Sequence, residues 1–341
     1  MRETWRRLRD WIEVPSVTGG EADYADVLAR RLGELGLDVE LQQVAPGRSN
    51  VLARRGRPRV VFCTHLDTVP PFFGSGEDAD FVHGRGSCDA KGPALAMLTA
   101  AESMLAEGEE DLGFLFTVGE ETDSAGARRA NELLAEPWAP RYTIVGEPTE
   151  NRFVRAHKGA FKGRLVASGV AGHSSQKVGP SAVHELVLCA AKLLATDWGT
   201  HPHLGPGTLN IGQIEGGVAP NVVADRAGAS VLLRAVEPPE VCRAKLDLCL
   251  SPHVHFESPF PNYGPIEFHV PEGEQPIEVA FGTDAPHLPR WGTPLLYGPG
   301  RILDAHTDHE RVSKASFERA VADYGRVARE LLARARAQEG S

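Results

Sequence analysis

The sequence predicts an α/β protein whose main sheet is mostly parallel and flanked by helices, with a smaller α+β domain inserted into it. Two observations predict this architecture. Short apolar segments of β type alternate with helical segments as far as about Asn151, which is typical of a parallel sheet. The pattern then changes to paired strands with two helices, and from about Pro265 it returns to β and α segments. The chain therefore divides into a larger domain, residues 1–152 and 257–341, and an inserted domain, residues 153–256.

Two helices are predicted at the N-terminus. Apolar residues from Trp5 to Ile12 recur at helical spacing, and Pro15 ends this helix because proline cannot continue it. A second helix runs from about Glu21, and Gly36 is its stop signal.

The remaining elements are assigned from the length and spacing of their apolar segments. In the larger domain, strands are predicted at 37–44, 50–55, 59–67, 112–118 and 141–146. Helices of that domain are predicted at 91–108, 125–134 and Lys314–Arg336. In the inserted domain, strands are predicted at 161–172, 208–217 and 226–236, and a helix at 181–196.

Composition and charge limit the partners and the compartment. The chain has 341 residues, a length that suggests two domains, and 42% are hydrophobic, enough for a globular interior. The formal net charge of −10 argues against nucleic acid or an anionic membrane as a partner. The charged N-terminal segment lacks the apolar run of a signal peptide, and no stretch is apolar enough to span a membrane. Five cysteines without a CxxC pair favour free thiols, so we expect a cytoplasmic protein.

The first chemically informative segment ends a predicted buried strand. His65 and Asp67 alternate with Leu66 there, so both polar side chains leave the strand on the same face. The carboxylate can then lie close to the imidazole, as a group that orients a metal-bound histidine. Alone, the pair is equally typical of a hydrogen-bonded histidine near a surface aspartate.

Further acids and a histidine lie at other strand ends or in the loops that follow them. They are Asp89 in a glycine-rich loop, Glu120 and Glu121 after one strand, Glu147 after another, and His306 near the C-terminus. Because ligands of open α/β sheets collect at the carboxyl edge, we expect these groups to converge. Partly buried carboxylates would repel one another, and two divalent cations would remove the repulsion. Mixed histidine and carboxylate ligands suit zinc, with cobalt or manganese as substitutes, in an open and therefore catalytic site.

The order of these motifs resembles that of a known family. HLD, GRGSCDAKG, GEE, GEPT and AHTDHE are similar to the motifs of the metallopeptidase family of acetylornithine deacetylase, succinyl-diaminopimelate desuccinylase and glutamate carboxypeptidase. The similarity spans nearly the whole chain and implies a zinc-peptidase-like catalytic domain with an inserted lid and dimerisation domain. It implies that two metal ions share Asp89, that Glu120 is the general base, and that Asp67 orients His65. The remaining implied ligands are His65 and Glu147 at one ion, and Glu121 and His306 at the other.

The resemblance also gives roles to residues of the inserted domain. His173 in the GHSS segment corresponds to a histidine that reaches the active site of the opposite subunit in a homodimer and stabilises the tetrahedral intermediate. Asn221 corresponds to a residue that contacts substrate, and Arg234 to an arginine that binds the substrate's α-carboxylate, a bidentate task. For Arg234, a surface ion pair is the competing interpretation.

The expected reaction is hydrolysis of an amide bond in an N-acyl amino acid, of acetylornithine or acetylcitrulline type, with small-molecule substrates and no nucleic-acid or membrane partner. Alternatives within the family are a desuccinylase, a dipeptidase, or a hydrolase that releases lysine or ornithine from a carrier protein. A non-catalytic metal-binding scaffold is disfavoured because Glu120 and His173 are both present. An aminopeptidase with a similar dinuclear site is expected to lack the inserted domain.

Overall fold

The computed structural model of the protein describes residues 2–176, 178–259 and 261–339. The helices are α1 (Arg2–Ile12), α2 (Ala22–Glu34), α3 (Lys91–Ala106), α4 (Ala125–Leu133), α5 (Ala182–Ala195), α6 (Pro239–Asp247) and α7 (Lys314–Glu339), with a 3₁₀ helix at Ala285–His287. The strands are β1 (Asp38–Ala45), β2 (Arg48–Arg55), β3 (Val60–His65), β4 (Gly76–Glu77), β5 (Phe81–His83), β6 (Leu112–Thr117), β7 (Tyr142–Val145), β8 (Val154–His157), β9 (Gly159–Ser168), β10 (Gly172–His173), β11 (Thr200–His201), β12 (Gly205–Pro206), β13 (Thr208–Gly216), β14 (Val222–Val223), β15 (Arg226–Ala235), β16 (Val254–Glu257), β17 (Ile266–Glu267), β18 (Ile277–Val279), β19 (Thr293–Leu296) and β20 (Arg311–Ser313).

The larger unit is built on a six-stranded sheet in the order β1–β2–β6–β3–β7–β19. β3 is parallel to β6 and β7, and β7 is parallel to β19, whereas β2 is antiparallel to both of its neighbours. Every residue of β3, β6 and β7 is buried, as expected for strands that are covered on both faces. The predicted α/β fold with a mostly parallel sheet is confirmed.

Helices complete the core of this unit. α1 buries Trp5, Leu8, Trp11 and Ile12, the residues whose spacing predicted it, and the rings of Trp5 and Phe317 meet edge-on at 5.0 Å. α3 is buried along most of its length and packs against α7. Because each fully buried large apolar side chain stabilises the fold by about 1.5–3 kcal/mol, these faces fix the helices in the core of the unit.

The second compact unit comprises residues 156–267 and 278–282. Its four-stranded antiparallel sheet has the order β13–β15–β9–β16, and α5 packs against one face. The inserted domain was predicted from the sequence at residues 153–256. The compact unit continues to residue 267 because β17 pairs with β8.

Two further observations bear on the sequence-based expectations. Among the described residues, none of the helices combines the length and the apolar composition that a membrane crossing needs. The five cysteines are free and buried.

Candidate metal centre

Four of the predicted site residues lie at or just after the ends of three neighbouring strands of the six-stranded sheet. β3 ends at His65, β6 ends shortly before Glu120 and Glu121, and β7 ends shortly before Glu147. These strands are adjacent and parallel in the order β6–β3–β7, so their carboxyl ends lie at one edge. The sheet therefore brings together residues that are far apart in the sequence.

Asp89 lies between two histidines. Its Oδ1 is 2.8 Å from Nε2 of His65, and its Oδ2 is 3.2 Å from Nε2 of His306. Nε2 of His306 is also 3.0 Å from Oε1 of Glu121, and Nε2 of His65 is 3.9 Å from Oε2 of Glu147. A carboxylate whose two oxygens face different ligand groups has the arrangement of a residue that bridges two cations.

One subset of these residues has the spacing of a metal site. His65, Asp89 and Glu121 each offer a ligand atom, and these atoms all lie within 4.8 Å of one another. His65 and Asp89 are buried. The donor set combines an imidazole with carboxylates, which suits zinc and similar divalent ions.

The carboxylates of the cluster are held in an unfavourable environment. Burial, with an added contribution from the charge of Glu147, raises the pKa of Glu120 well above its ordinary value. Burial is also the largest cause that raises the pKa values of Glu121 and Glu147, and the charge of Asp89 adds to both. Divalent cations would offset this crowding of negative charge, so the residues present fit a metal centre.

The two histidines partly neutralise the cluster through Asp89. Burial would raise the pKa of Asp89, but its hydrogen bonds with His306 and His65 lower it below the ordinary range. Hydrogen bonds with Asp89 and Glu121 raise the pKa of His306 to about 10. Burial would lower the pKa of His65, but the hydrogen bond with Asp89 and the surrounding carboxylates raise it well above its usual value.

The hydrogen bonding of His65 defines which nitrogen can bind a metal. Its Nδ1 lies 2.8 Å from the backbone oxygen of Asp67, and a carbonyl can only accept. Nδ1 therefore carries the hydrogen in the neutral ring, and Nε2, which faces Asp89, has the free lone pair that a metal needs.

The carboxylate of Asp67 was expected to orient His65, but it contacts the loop that carries Glu120. Its Oδ1 is 3.8 Å from Nδ1 of His65, beyond hydrogen-bonding distance. Instead, this fully buried carboxylate accepts hydrogen bonds from the backbone N–H groups of Gly119, Glu120 and Glu121, and from the Thr18 hydroxyl at 2.9 Å. Within the protein, Asp67 thus holds the loop that carries Glu120, while its backbone carbonyl orients His65.

The glycine-rich loop before α3 brings the backbone close to the cluster. Gly86 has a φ of +87°, in the region that favours glycine, and a Cβ on Gly92 would lie 2.1 Å from the backbone oxygen of Ser87. The small residues that made this loop conspicuous in the sequence are therefore required by its turn and by close packing. Asp89 occupies the middle of this loop.

In the second unit, two of the predicted residues lie together. β10 pairs with β14, and the Ser174 N–H donates to the backbone oxygen of Asn221 at 3.0 Å, so His173 and Asn221 belong to adjoining segments. His173 is exposed, and its Nδ1 accepts from the backbone N–H of Ser175 at 3.2 Å. Because that N–H can only donate, Nε2 carries the ring hydrogen of the neutral histidine and is available as a donor.

Arg234 lies on the face of the second sheet that α5 leaves uncovered. On β15 it pairs with Ala160 of β9 and Thr208 of β13, and it is partly exposed. Residues that alternate with the buried positions share this face. The ionisable ones on β9, β13, β15 and β16 are Lys162, Arg164, Glu215, Arg226, Arg234, His255 and Glu257.

Three buried charged residues next to the cluster were not singled out from the sequence. Glu310 accepts hydrogen bonds from the N–H groups of Cys88 and Asp89 and pairs with Arg85. Asp284 accepts a hydrogen bond from the Thr117 hydroxyl at 2.6 Å, and burial raises its pKa to about 6. Arg85 lies in the GRGSCDAKG motif that identified Asp89, and Glu310 lies in the AHTDHE motif that identified His306. A charged side chain inside a motif that supplies a ligand was the signal that could have found them.

The second histidine of the AHTDHE motif, His309, contacts a different partner from that of His306. Its Nδ1 is 2.8 Å from Oδ1 of Asp308, and both side chains are largely exposed. The backbone of His306 has a φ of +61°, uncommon for a residue other than glycine, and this conformation brings its Nε2 to Asp89 and Glu121.

Comparison with known proteins agrees with this geometry. Residues 61–330 match the model of peptidase family M20/M25/M40. The chain belongs to this family. It is therefore a metallopeptidase-type enzyme that hydrolyses amide bonds.

Two curated relatives illustrate the similarity. A peptidase M20 domain-containing protein of Schizosaccharomyces pombe is 37% identical over 330 residues, 93% of this chain and 82% of its own length. A protein of Aspergillus flavus named probable carboxypeptidase is 34% identical over 367 residues, 94% of this chain and 88% of its own length. Neither name includes a deacetylase.

Solved structures share the fold. Aminopeptidase PepT from Bacillus cereus has a TM-score of 0.80 at 20% identity and aligns with 96% of this chain and 98% of its own. YXEP of Bacillus subtilis, described as a dinuclear metal binding peptidase from the M20 family, has a TM-score of 0.68 at 16% identity, over 97% of this chain and 100% of its own. Peptidases of this family are dinuclear metal enzymes, and the cluster around His65 could hold such a metal. The expectation that an aminopeptidase would lack the inserted domain is wrong, because the PepT alignment covers nearly all of both chains.

Proposed function

We propose that this protein is a carboxypeptidase- or dipeptidase-type hydrolase with two divalent ions, and that it cleaves an amide bond whose leaving amine carries a free carboxylate. One observation carries the metal part of the proposal. The two oxygens of Asp89 face Nε2 of His65 and Nε2 of His306, at 2.8 and 3.2 Å, which is the arrangement of a bridging ligand. In this proposal, His65 and Glu147 bind one ion and Glu121 and His306 the other, with zinc as the preferred metal and cobalt or manganese as substitutes.

The side chains of the protein have separate roles in the proposed amide hydrolysis. When bound, the divalent ions supply Lewis acidity toward the amide carbonyl and lower the pKa of water. Glu120, whose pKa is raised by burial and by Glu147, takes a proton from the attacking water and delivers it to the leaving amine. The backbone N–H of Glu120 is fixed by Asp67, so the base has a defined position. His173 donates from Nε2 to the developing oxyanion.

Charge on the second unit supports a substrate with a carboxylate. The open face of its sheet carries Lys162, Arg164, Arg226 and Arg234 against Glu215 and Glu257, although the whole chain has a net charge of −10. Arg234 is the candidate for binding the carboxylate, because guanidinium binds such groups in a bidentate way, and Asn221 is the candidate for a further substrate contact. A carboxypeptidase is favoured over other amide hydrolases by the names of several relatives.

A second candidate is the deacylation of N-acyl amino acids, of the acetylornithine or acetylcitrulline type. Its leaving amine also carries an α-carboxylate, so the same cationic face would serve. A desuccinylase, and a hydrolase acting on a carrier-bound amino acid, share this chemistry but differ in the acyl side of the bond.

A substrate panel tests these candidates. Purified enzyme is stripped with a chelator, reloaded with zinc or cobalt, and assayed for released amine on dipeptides, tripeptides, N-acetyl and N-succinyl amino acids, and the same dipeptides with an amidated C-terminus. We expect no turnover without metal, turnover of the free-acid peptides after reloading, and a large loss on the amidated peptides. Equal turnover of acid and amide would contradict the carboxylate requirement, and full activity in metal-free protein would contradict the metal centre.

We also propose that the protein is a homodimer formed through the second unit. α5 packs on the sheet with one side, while Val187, Leu188 and Leu194 on its outer side are 50%, 62% and 64% exposed. Next to it, β13 is an edge strand whose Ile214 is 59% exposed. An apolar helix face beside a strand that is at the edge of its sheet in the described part of the chain is a surface that a second copy can cover symmetrically.

Subunit mixing tests the dimer and the role of His173 together. Glu120→Ala and His173→Ala homodimers should each be nearly inactive, whereas mixed dimers contain one site with both groups intact if His173 acts across the interface. Random pairing gives half mixed dimers with one intact site of two, so activity should recover to about a quarter of that of the wild type. An inactive mixture in which mass spectrometry detects mixed dimers would contradict the crossed arrangement.

A cytoplasmic location is proposed on the thiol chemistry. The five cysteines are free and buried, which suits a reducing compartment. Fractionation of cells that express a tagged full-length chain would test this.

A further inference from the structure

We propose that Glu310 is a positioning residue that holds the backbone segments of the bridging Asp89 and the ligand His306 in fixed positions relative to each other. In this proposal, Arg85 fixes the carboxylate of Glu310. The inference rests on the proposed ligand roles of Asp89 and His306. It concerns residues that belong to neither the proposed ligand set nor the proton-transfer step.

The contacts of Glu310 join two segments that are distant in the sequence. Its Oε1 accepts hydrogen bonds from the backbone N–H groups of Cys88 and Asp89, at 3.0 and 3.1 Å. Its backbone oxygen accepts from the N–H of Gly84 at 3.0 Å. Glu310 therefore contacts the glycine-rich loop both at its start and at Asp89.

Arg85 fixes the carboxylate of Glu310 through a buried ion pair. Its Nη1 is 2.6 Å from Oε2 of Glu310, its Nε donates to the backbone oxygen of Pro71 at 3.2 Å, and its guanidinium lies 5.0 Å from the centre of the Phe73 ring. Glu310 is fully buried and Arg85 is 2% exposed. A buried ion pair with several further contacts has one defined geometry, because any other would leave a charge without a partner.

This geometry bears directly on the bridge. For Asp89 to present one oxygen to His65 and the other to His306, the backbone that carries it must be fixed in both position and rotation. Of the two N–H groups that Glu310 binds, one belongs to Asp89 itself and the other to Cys88, so the two peptide units that lead to Asp89 are both held. Glu310 also follows His306 in the same loop, so the contacts that hold Asp89 hold the histidine segment too.

The same contacts argue against the other roles that a buried carboxylate can have. One oxygen of Glu310 is bound to two amides and the other to Arg85, so its oxygens are turned toward the loop backbone and the guanidinium. A metal ligand or a general base needs an oxygen directed to the cation or to the attacking water. Positioning is the role that this arrangement serves.

The test compares Glu310→Gln with Asp308→Asn in the full-length enzyme. Both variants remove one negative charge from the same loop, but Asp308 is exposed and contacts only its neighbour His309 among the bonds described above. Binding of Zn²⁺ is measured by competition with a chromophoric chelator, the ligand geometry by the visible absorption of the Co²⁺-loaded protein, and turnover by separate kcat and KM values. Thermal unfolding in chelator reports on the fold without metal.

We expect Glu310→Gln to weaken binding of at least one Zn²⁺ by about 10- to 100-fold, to alter the Co²⁺ spectrum, and to lower kcat more than it changes KM. Asp308→Asn should match the wild type in all of these measurements. Glu310→Asp, which keeps the charge but shortens the reach, should restore folding without restoring the wild-type spectrum, and it replaces Glu310→Gln if that variant does not fold.

Wild-type metal affinity and an unchanged Co²⁺ spectrum in a folded Glu310 variant would overturn the inference, even if the unfolding temperature falls, because that result describes a purely structural residue. Asp89→Asn is measured in parallel to separate two failures. If Asp89→Asn also keeps both ions, the proposed metal centre is wrong; if it loses metal while the Glu310 variants do not, only the positioning role is wrong.

Discussion

The two units of this protein hold their functional side chains in different ways. In the larger unit, Asp67 and Glu310 are fully buried, and each carboxylate collects backbone N–H groups from a loop that carries candidate catalytic residues. In the second unit, His173 is exposed and Arg234 is partly exposed on an open sheet face. Buried networks fix geometry before substrate arrives, whereas exposed groups can adapt to it. We therefore expect substitutions of the buried groups in the larger unit to change kcat or metal binding, and substitution of Arg234 in the second unit to change KM.

The largest expected effect is that of the base. Glu120→Gln keeps the size of the side chain and removes the proton acceptor, so kcat should fall by roughly 10²-fold or more while metal content stays near that of the wild type. Metal analysis and steady-state kinetics on the same preparation check this. Glu257→Gln, an exposed change of the same kind in the second unit, is the matched control. Loss of one ion from Glu120→Gln, with activity falling in proportion, would mean that Glu120 is a ligand.

A smaller effect is expected from substitution of Asp284, and it should appear in the free energy of unfolding. Burial raises its folded-state pKa from 3.8 to about 6, so its contribution to stability is present below pH 3.8 and is lost as the pH rises through about 6. In chelated protein, Asp284→Asn removes this loss. The variant should therefore gain about 3 kcal/mol of unfolding free energy relative to the wild type between about pH 4 and pH 8, as measured by urea unfolding.

The comparison with an exposed acid sharpens that prediction. Glu257→Gln, a change at an exposed carboxylate, is measured in the same way, and it should leave the unfolding free energy within about 0.5 kcal/mol of the wild type. Bound divalent ions should reduce the difference for Asp284→Asn, since they favour its ionised form. A stability difference that is the same at every pH would contradict the account of Asp284.

The smallest effect is expected from Arg234 in the second unit. Arg234→Ala should raise KM for a free-acid peptide by about 10-fold, with kcat within about twofold of the wild type, because the arginine binds substrate without touching the reacting bond. Arg226→Ala removes the same charge from the same strand and face, and it should leave both constants near their wild-type values. If both variants raise KM equally, the effect is one of overall charge, and Arg234 has no specific contact.

Much of the fold follows from the sequence because the relevant patterns are local. The apolar spacing of α1, the uninterrupted apolar runs of β3 and β6, and the long helix α7 all appear in the structure where they were predicted. α2 begins near the predicted start and is followed by Gly36 with a φ of +76°. α7 continues beyond the predicted Arg336 to Glu339, since nothing in the local sequence stops it earlier.

Only part of the candidate site could be predicted from local sequence patterns. The residue types of His65, Asp89 and Glu121, and their places at strand ends or in the loops that follow, predicted convergence. The sheet order β6–β3–β7 brings the strand ends of His65 and Glu121 together, and Asp89 joins them from the loop before α3. The partner of Asp67 could not be predicted, because spacing along β3 defines the face on which its carboxylate emerges and not the loop that reaches it. Thr18 had no signal at all, since a hydroxyl in an N-terminal loop becomes informative only when its hydrogen bond to Asp67 is seen.

By itself, then, the sequence determined the α/β class, the positions of most helices and strands, and the residue types that make a dinuclear metal centre plausible chemistry. Apolar periodicity and the residue types of ligands are local properties of the sequence, so they can be recognised without knowledge of the fold. The tertiary structure decided which groups meet: Asp89 between two histidines, Asp67 under the loop of Glu120, and Glu310 against the amide of Asp89. Such contacts join segments far apart in sequence, and the burial that makes them strong exists only once the strands are paired.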